Sequence, residues 1–405
     1  MKVVNNTPLG HHIVETQHPQ GEFAKTIESK ILSPMDVTKG LWDVSLSCGK
    51  LGSSGAISKD DVNERKECDR ETVALFRVHH SLCDGVSIAF AIGDLADEAA
   101  YLRDKIRKEM KQKEETRAQN QACYLFVVSM ISSFAFMLKF VIACLYALLL
   151  QTWKMIISKN PFEPVLSMSE IPAKSRSICW KNVASLEEVK TVAKRISSRT
   201  TINDVACAMV TYAIKKQLEE HASIMGNKTV IHIPQHVNIT IPVHLTGGIL
   251  RPGQQLGNNI GGFVSTIPLD TSNSQSATFR LQQITKILQR EKSLPSPMIS
   301  LQLARMFTRG PLRFCTYVLK KFSANSVAVV SNVKGFPIPV HWLGRRVQFL
   351  CAFLPLPPGI PIGVVISSYA GMVSFGLNAD KRAVPNARKF SNWMLEEYEH
   401  IKSGI

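Results

Sequence analysis

Val73-Ala74-Leu75-Phe76-Arg77-Val78-His79-His80-Ser81-Leu82-Cys83-Asp84-Gly85 is the stretch on which the reading of this chain turns. Successive side chains of an extended strand point to opposite faces. Ala74, Phe76, Val78 and His80 therefore share one apolar side, and His79 joins Arg77 on the other. The run closes on HHxxxDG, where Gly85 lets the backbone turn tightly into a helix expected over residues 86–110. An imidazole between water and an apolar pocket suits general-base work, because its pKa lies near neutrality and is tuned by its surroundings. Asp84 can orient the site, and it can equally serve as the helix N-cap. Neighbouring histidines at a strand end are also common as solvated or structural groups. They make poor joint metal ligands from opposite faces, and no third ligand stands at convincing spacing, so no metal is expected.

The chain has 405 residues, enough for two domains or one large pseudo-symmetric one. Its net charge of +16 points to an anionic partner: nucleic acid, acidic lipid headgroups, or a phosphate-rich ligand such as coenzyme A. There is no zinc-finger spacing, RNA-binding signature or basic region followed by heptads, so nucleic acid is not the expected partner. The nine cysteines are odd in number and form no CxxC pair, which fits a reducing compartment with buried thiols.

Residues 103–117 are densely charged with both signs, and residues 122–153 then run apolar except for Lys139 and a few small polar side chains. As one helix this segment is long enough to cross a bilayer with tilt. As two arms, 122–138 and 140–153, it is marginal. A single span would put the flanking segments on opposite sides of the membrane, so a hairpin or interfacial insertion is expected if they form one fold, with a buried helix pair as the other reading. The Lys/Arg excess before it marks the cytosolic side. A Pro-punctuated linker follows at Asn160-Pro161-Phe162-Glu163-Pro164. Ser185-Leu186-Glu187-Glu188 reads as a capping box, and Thr201-Ile202-Asn203-Asp204 as a second helix start. Strands are expected at 237–242, 262–267, 326–331, 348–353, 363–368 and 372–377, and a last helix at 386–402. Helices and strands without regular alternation give an α+β class. The domains expected are 1–118, the hydrophobic segment and linker 119–164, and 165–405.

With these segments placed, the chain resembles the wax ester synthase/diacylglycerol acyltransferase family over most of its length. The resemblance rests on an ordered set: Leu41-Trp42-Asp43-Val44, His79–Gly85, Thr201-Ile202-Asn203-Asp204-Val205, Leu256-Gly257-Asn258-Asn259-Ile260-Gly261 and Ser331-Asn332-Val333-Lys334-Gly335. HHxxxDG alone is shared with condensation domains and other acyltransferases. The family implies two chloramphenicol-acetyltransferase-like halves with a channel between them, carrying here an inserted hydrophobic, membrane-associated segment. It implies His80 as general base, supported by His79, with Asp84 and Gly85 holding local structure. It also implies substrate contacts at Trp42, Asn203 and Asp204, although Asn203 is equally a helix-start residue. Two departures stand out. Gly40 replaces the family's Pro, and the chain is expected to begin after the early strand and helix that usually open the family's first half.

The reaction implied is fatty acyl transfer from acyl-CoA, a co-substrate and not a cofactor, to a long-chain alcohol or diacylglycerol. It would take place at a membrane, the endoplasmic reticulum with the catalytic domain facing the cytosol. Lys174, Arg176, Lys181, Lys190, Lys194, Arg195 and Arg199 could meet coenzyme A phosphates, or could be a solvated, lipid-attracted face. The alternative is a non-catalytic, membrane-associated lipid-binding homologue or a truncated fragment. A condensation-type amide-forming enzyme fits the later motifs less well.

Overall fold

Alternation in the first half and long apolar runs in the second build two different sheets. A computed structural model describes residues 13–17, 23–35, 38, 40–49, 71–109, 111–112, 115, 133–157, 159–225, 233–245, 257–269, 275–307 and 309–404. The first half holds β1 (Ile13–Gln17), α1 (Phe23–Leu32), β2 (Trp42–Gly49) and β3 (Glu71–Val78), in the strand order β1-β2-β3. β1 runs parallel to β2, and β3 antiparallel to it, with Asp43 opposite Arg77 and Val44 opposite Phe76. The two faces of β3 then do different things. Arg77 pairs with Asp43, its Nε 2.9 Å from Oδ2, while its Nη1 donates to the carbonyls of Lys30 and Ser33 at 2.6 and 2.8 Å, closing the end of α1. On the opposite face Phe76 meets the Trp342 ring of the second half edge-on at 5.4 Å.

The second half carries β4 (Arg176–Ser185), β5 (His236–His244), β6 (Ile260–Pro268), β7 (Ala328–Lys334), β10 (Ile362–Tyr369) and β11 (Met372–Asp380), in the order β4-β11-β10-β7-β5-β6. A short hairpin, β8 (His341–Trp342) and β9 (Arg345–Arg346), stands apart. The central strands β10 and β11 are buried along almost their whole length, which is why they read as continuous apolar runs. α7 (Ile202–Met225) and α11 (Ala387–Ser403) cover the sheet with α6 (Leu186–Ile196) and α8 (Ala277–Lys292), around a core including Met209, Leu218, Phe375, Phe390 and Tyr398. Ser185 caps α6 by accepting from the Glu188 amide, the first half of the capping box, while the Glu188 carboxylate goes instead to Tyr398 and Lys402.

Three expectations are corrected. Residues 348–353 form no strand. They run extended across the sheet face, held by Ser374 donating to the Leu350 carbonyl at 3.4 Å, while Asn378 donates to the Leu354 carbonyl at 2.9 Å just beyond. Gly376 makes that approach possible, since a Cβ there would lie 2.2 Å from the Ala352 oxygen. The helix expected over 86–110 breaks in two, α2 (Gly85–Asp94) and α3 (residues 99–109). The break at 95–98 frees the Asp97 amide to bond the His341 carbonyl at 2.8 Å and turns Asp97 and Glu98 toward the β8–β9 hairpin.

The third correction concerns the apolar segment. Residues 133–157 make one helix, α4 (Ser133–Ile157), unbroken at Lys139, so the division into two arms at that residue does not occur; residues 122–132 lie outside the described ones. Among the described residues no helix is long and apolar enough to cross a membrane. α4 is instead bolted to the β6 edge and α8. Lys154 pairs with Glu291 at 2.5 Å, both nearly buried, and Gln151 accepts from the Val264 amide at 2.7 Å. Asn238 donates to the Lys154 carbonyl at 2.9 Å. Leu138, Ile142, Leu145, Leu149 and Trp153 remain exposed on the helix.

Candidate active site

β3 ends at Val78, so both histidines fall in the turn that leads to α2. The sequence places His80 on the apolar face of the strand; the structure puts it past the strand end, in the turn, with its side chain exposed. Among the described residues its imidazole meets no hydrogen-bond partner. The backbone around it is fixed from both sides. The His79 amide donates to the Leu41 carbonyl at 2.8 Å, and the Asn258 side chain donates to the His80 carbonyl at 2.7 Å. His79 Nδ1 accepts from the Ser81 amide at 3.2 Å and lies 2.7 Å from the Ser81 hydroxyl. An accepting Nδ1 leaves the proton of the neutral ring on Nε2.

Asp84 is fully buried and joins the two halves. Its Oδ1 caps α2 through the Ser87 amide at 2.9 Å, and its Oδ2 accepts from the Asn259 amide at 2.9 Å. His244, at the end of β5, brings Nε2 to 3.3 Å from the same Oδ2. The Asp84 amide donates to the Gly257 carbonyl at 3.1 Å, and the Ser87 hydroxyl donates to it at 3.0 Å. Asp84 is thus at once the N-cap of α2 and a bridge to the Asn258–Asn259 string of the second half. Gly85 has ordinary helical backbone. Its need is space, since a Cβ would stand 3.3 Å from the Val333 side chain of the S-N-V-K-G string. Cys83 is buried, and burial, reinforced by the neighbouring Asp84 charge, pushes its thiol up and away from thiolate chemistry.

The other expected contacts are divided. Trp42 opens β2 directly across from Val78, beside the histidine turn, and is partly exposed. Asp204 is fully buried, with one oxygen accepting from the Thr201 amide at 2.9 Å and the other from Lys292 at 3.0 Å, and Asn203 stands half-buried beside it in the first turn of α7. Among the described residues no hydrogen bond links either to the histidine turn. The basic residues of β4 and α6 do not converge: Arg176 faces Asp380, Lys181 donates to Asn392, and Lys194 donates to the Ser198 carbonyl. β4 is also the edge strand opposite β6, whose start adjoins the motif. Ser87, His244, Asn258 and Asn259 were missed as site residues. Only the string containing Asn258 and Asn259 offered a signal, and it carried no assigned role.

A cleft of about 80 Å³ runs along α2 from Val86, next to the motif, to Gly93, with Ala89, Phe90, Ile106 and Phe336 on its walls. Val86 directly follows the motif in sequence, while neither histidine lines the cleft. Charged residues also line it: Arg103 pairs with Asp94 at 2.8 Å and Lys334 with Glu109 at 2.6 Å, and Lys105 stands among them.

Two sheets joined through a histidine turn define a two-lobed α+β protein whose candidate site lies where the lobes meet. The same fold occurs in the solved wax ester synthase/diacylglycerol acyltransferase from Marinobacter aquaeolei VT8, with a TM-score of 0.55 and 16% identity over 99% of this chain and 81% of that one. Residues 256–402 match the WS/DGAT C-terminal domain. Wax ester synthase/diacylglycerol acyltransferase 2 of Arabidopsis thaliana is 21% identical over 402 residues, 94% of this chain and 77% of that protein. O-acyltransferase WSD of Acinetobacter baylyi is 22% identical over 224 residues, 54% of this chain and 45% of that protein. The chain is thus similar to wax ester synthase/diacylglycerol acyltransferases over most of its length, and its C-terminal part matches the domain named for them.

Proposed function

We propose that this chain is an acyltransferase that moves a fatty acyl group from acyl-CoA to the hydroxyl of a long-chain alcohol or of diacylglycerol. The observation that carries the reading is the histidine turn itself. His80 is exposed at the junction of the lobes, its carbonyl is held by Asn258, and the buried Asp84 behind it is tied to Ser87 and Asn259. The relatives named above supply the reaction class and the two acceptors.

His80 takes the hydroxyl proton as the oxygen attacks the thioester carbonyl. The C–S bond then breaks, and the departing thiolate receives that proton from the imidazolium. General-base help of this kind is worth about a hundred- to ten-thousand-fold, and holding both substrates in place adds more. The buried Cys83 fits direct transfer without an acyl-enzyme. The apolar cleft along α2 takes part of an alkyl chain, and Trp42 flanks the acceptor. The exposed apolar residues of α4 and the charge of +16 support residence at a membrane, with the endoplasmic reticulum facing the cytosol as our placement.

The test is ester formation by membranes of a lipid-ester-deficient host expressing the chain, given labelled palmitoyl-CoA with hexadecanol or diacylglycerol. Product made by the parent and lost in His80→Ala supports the reading and names the acceptor. No product from folded parent protein, with acyl chains still bound, selects the lipid-binding alternative.

A further inference from the structure

We propose that the β8–β9 hairpin is a lipid-surface anchor that seats Leu343 among the headgroups of an anionic bilayer. The tip of this hairpin is Leu343-Gly344, with φ of +52° and +72°. Two consecutive positive φ values make a tight hairpin turn whose first position ordinarily holds Asn, Asp or Gly. Here it holds a leucine that is 96% exposed. A large apolar side chain in a strained conformation, fully in water, gains nothing from the fold that displays it.

The display is rigid. Asp97 accepts from the amides of both Leu343 and Gly344, at 3.2 and 2.8 Å, and its own amide donates to the His341 carbonyl at 2.8 Å. Glu98 accepts from the His341 amide at 2.8 Å and from its ring Nδ1 at 2.5 Å. Both nearby acids are therefore engaged by the hairpin, Asp97 at the amides of the tip itself and Glu98 at its root. What the tip presents is one leucine followed by Arg345 and Arg346, both exposed. Leu95 and Tyr101, each within four residues of Asp97, are also exposed apolar groups.

An apolar wedge with two cations immediately behind it matches the cross-section of a bilayer surface carrying acidic lipid, in which the side chain enters the acyl boundary and the guanidinium groups meet phosphates. The next residue back, Trp342, rests on Phe76 of β3, the strand that delivers the histidine turn. Seating the tip would therefore bring that turn to the lipid surface. This anchor draws on the proposed function only for the expectation that the substrates are lipids.

The experiment measures co-flotation of the full chain with vesicles of phosphatidylcholine alone, or of phosphatidylcholine and phosphatidylserine. Leu343→Gly removes the wedge and relieves the strained φ, so it folds at least as well as the parent. It should lower binding to the mixed vesicles by about tenfold or more, the partition of one leucine side chain. Arg345→Glu with Arg346→Glu should lower binding to the mixed vesicles by at least about thirtyfold and leave the neutral ones nearly unaffected. Equal binding of Leu343→Gly and parent to the mixed vesicles overturns the anchor, as does an equal loss on both vesicle types for the arginine variant. Acyl transfer on detergent-dispersed substrate separates the two readings. If Leu343→Gly keeps that rate but loses flotation, the anchor stands, and if the parent has no rate at all, only the proposed function fails.

Discussion

Replacing Asp84 by Ala tests whether the buried carboxylate, rather than general packing, holds the histidine turn between the lobes. The substitution removes the cap of α2, in which Oδ1 accepts from the Ser87 amide at 2.9 Å, at a cost of about 1 kcal/mol. It also leaves the Asn259 amide, 2.9 Å from Oδ2, without its acceptor, a further loss of about 1–3 kcal/mol for a donor taken out of water. The local sum is about 2–4 kcal/mol, or roughly thirty- to a thousandfold in the opening of that joint. Hydrogen–deuterium exchange read by mass spectrometry reports it directly. Peptides covering 84–90 and 257–262 should exchange faster by that factor, while the β10–β11 hairpin, far along the strand order, stays protected. Because Asn258 holds the His80 carbonyl from the same string, the rate of ester formation should fall by about tenfold or more. Unchanged exchange at 257–262 in the variant would refute the assignment of Asp84 as the joint.

Three further outcomes follow. The Glu98 carboxyl is held below the usual carboxylate range, first by the His341 amide and then by its ring, so its contribution is full above that range and is lost as pH falls through the lowered value. Peptic nicking at the β8–β9 hairpin, normalised to an unfolded control, should rise below about pH 4 and should lose that step in Glu98→Gln. Cys83→Ala should keep the transfer rate within about threefold, since a general-base route needs no thiolate, and a collapse of activity in a folded variant would restore an acyl-cysteine route. Lys154→Met should loosen α4 by about 3–5 kcal/mol, because it strands Glu291 without its partner, while Lys154→Met with Glu291→Leu should recover most of that loss. Limited proteolysis at the α4 docking face distinguishes the two, and equal sensitivity of both variants would show that the ion pair does not seat the helix.

What could be read in the sequence, and what could not, divides along a physical line. β3 was legible as an extended apolar run ending in the motif, although its residues 73–78 are all half-buried alike, and long apolar runs revealed β10 and β11 because those strands bury almost every residue. The capping box at Ser185 was legible because its partners lie three residues apart. Residues 348–353 failed as a strand because their hydrogen bonds go to side chains of β11 across the sheet face and not to a neighbouring backbone. The break after Asp94 was hidden for a related reason: local propensity favours a continuous helix, and only the distant hairpin draws Asp97 and Glu98 out of it.

At the site the same line explains why half the constellation was found. His79, His80, Asp84 and Gly85 are adjacent in sequence, so their spacing carries the signal. Ser87 looks like any helix residue, and Asn258, Asn259 and His244 reach the motif from more than 150 residues away. Asp204 shows the converse. In sequence it is a polar residue at a helix start, and folded it is a buried acid whose two oxygens are taken by Thr201 and Lys292. A carboxylate committed in that way holds the end of α7 in place, whereas Asp84, equally buried, transmits its constraint to an exposed histidine one turn away. Burial and satisfied hydrogen bonds therefore do not separate a structural acid from a positioning one. The distinction lies in what stands on the far side: for Asp84 that is a turn whose remaining free group is an imidazole, with an apolar cleft beginning at the next residue but one.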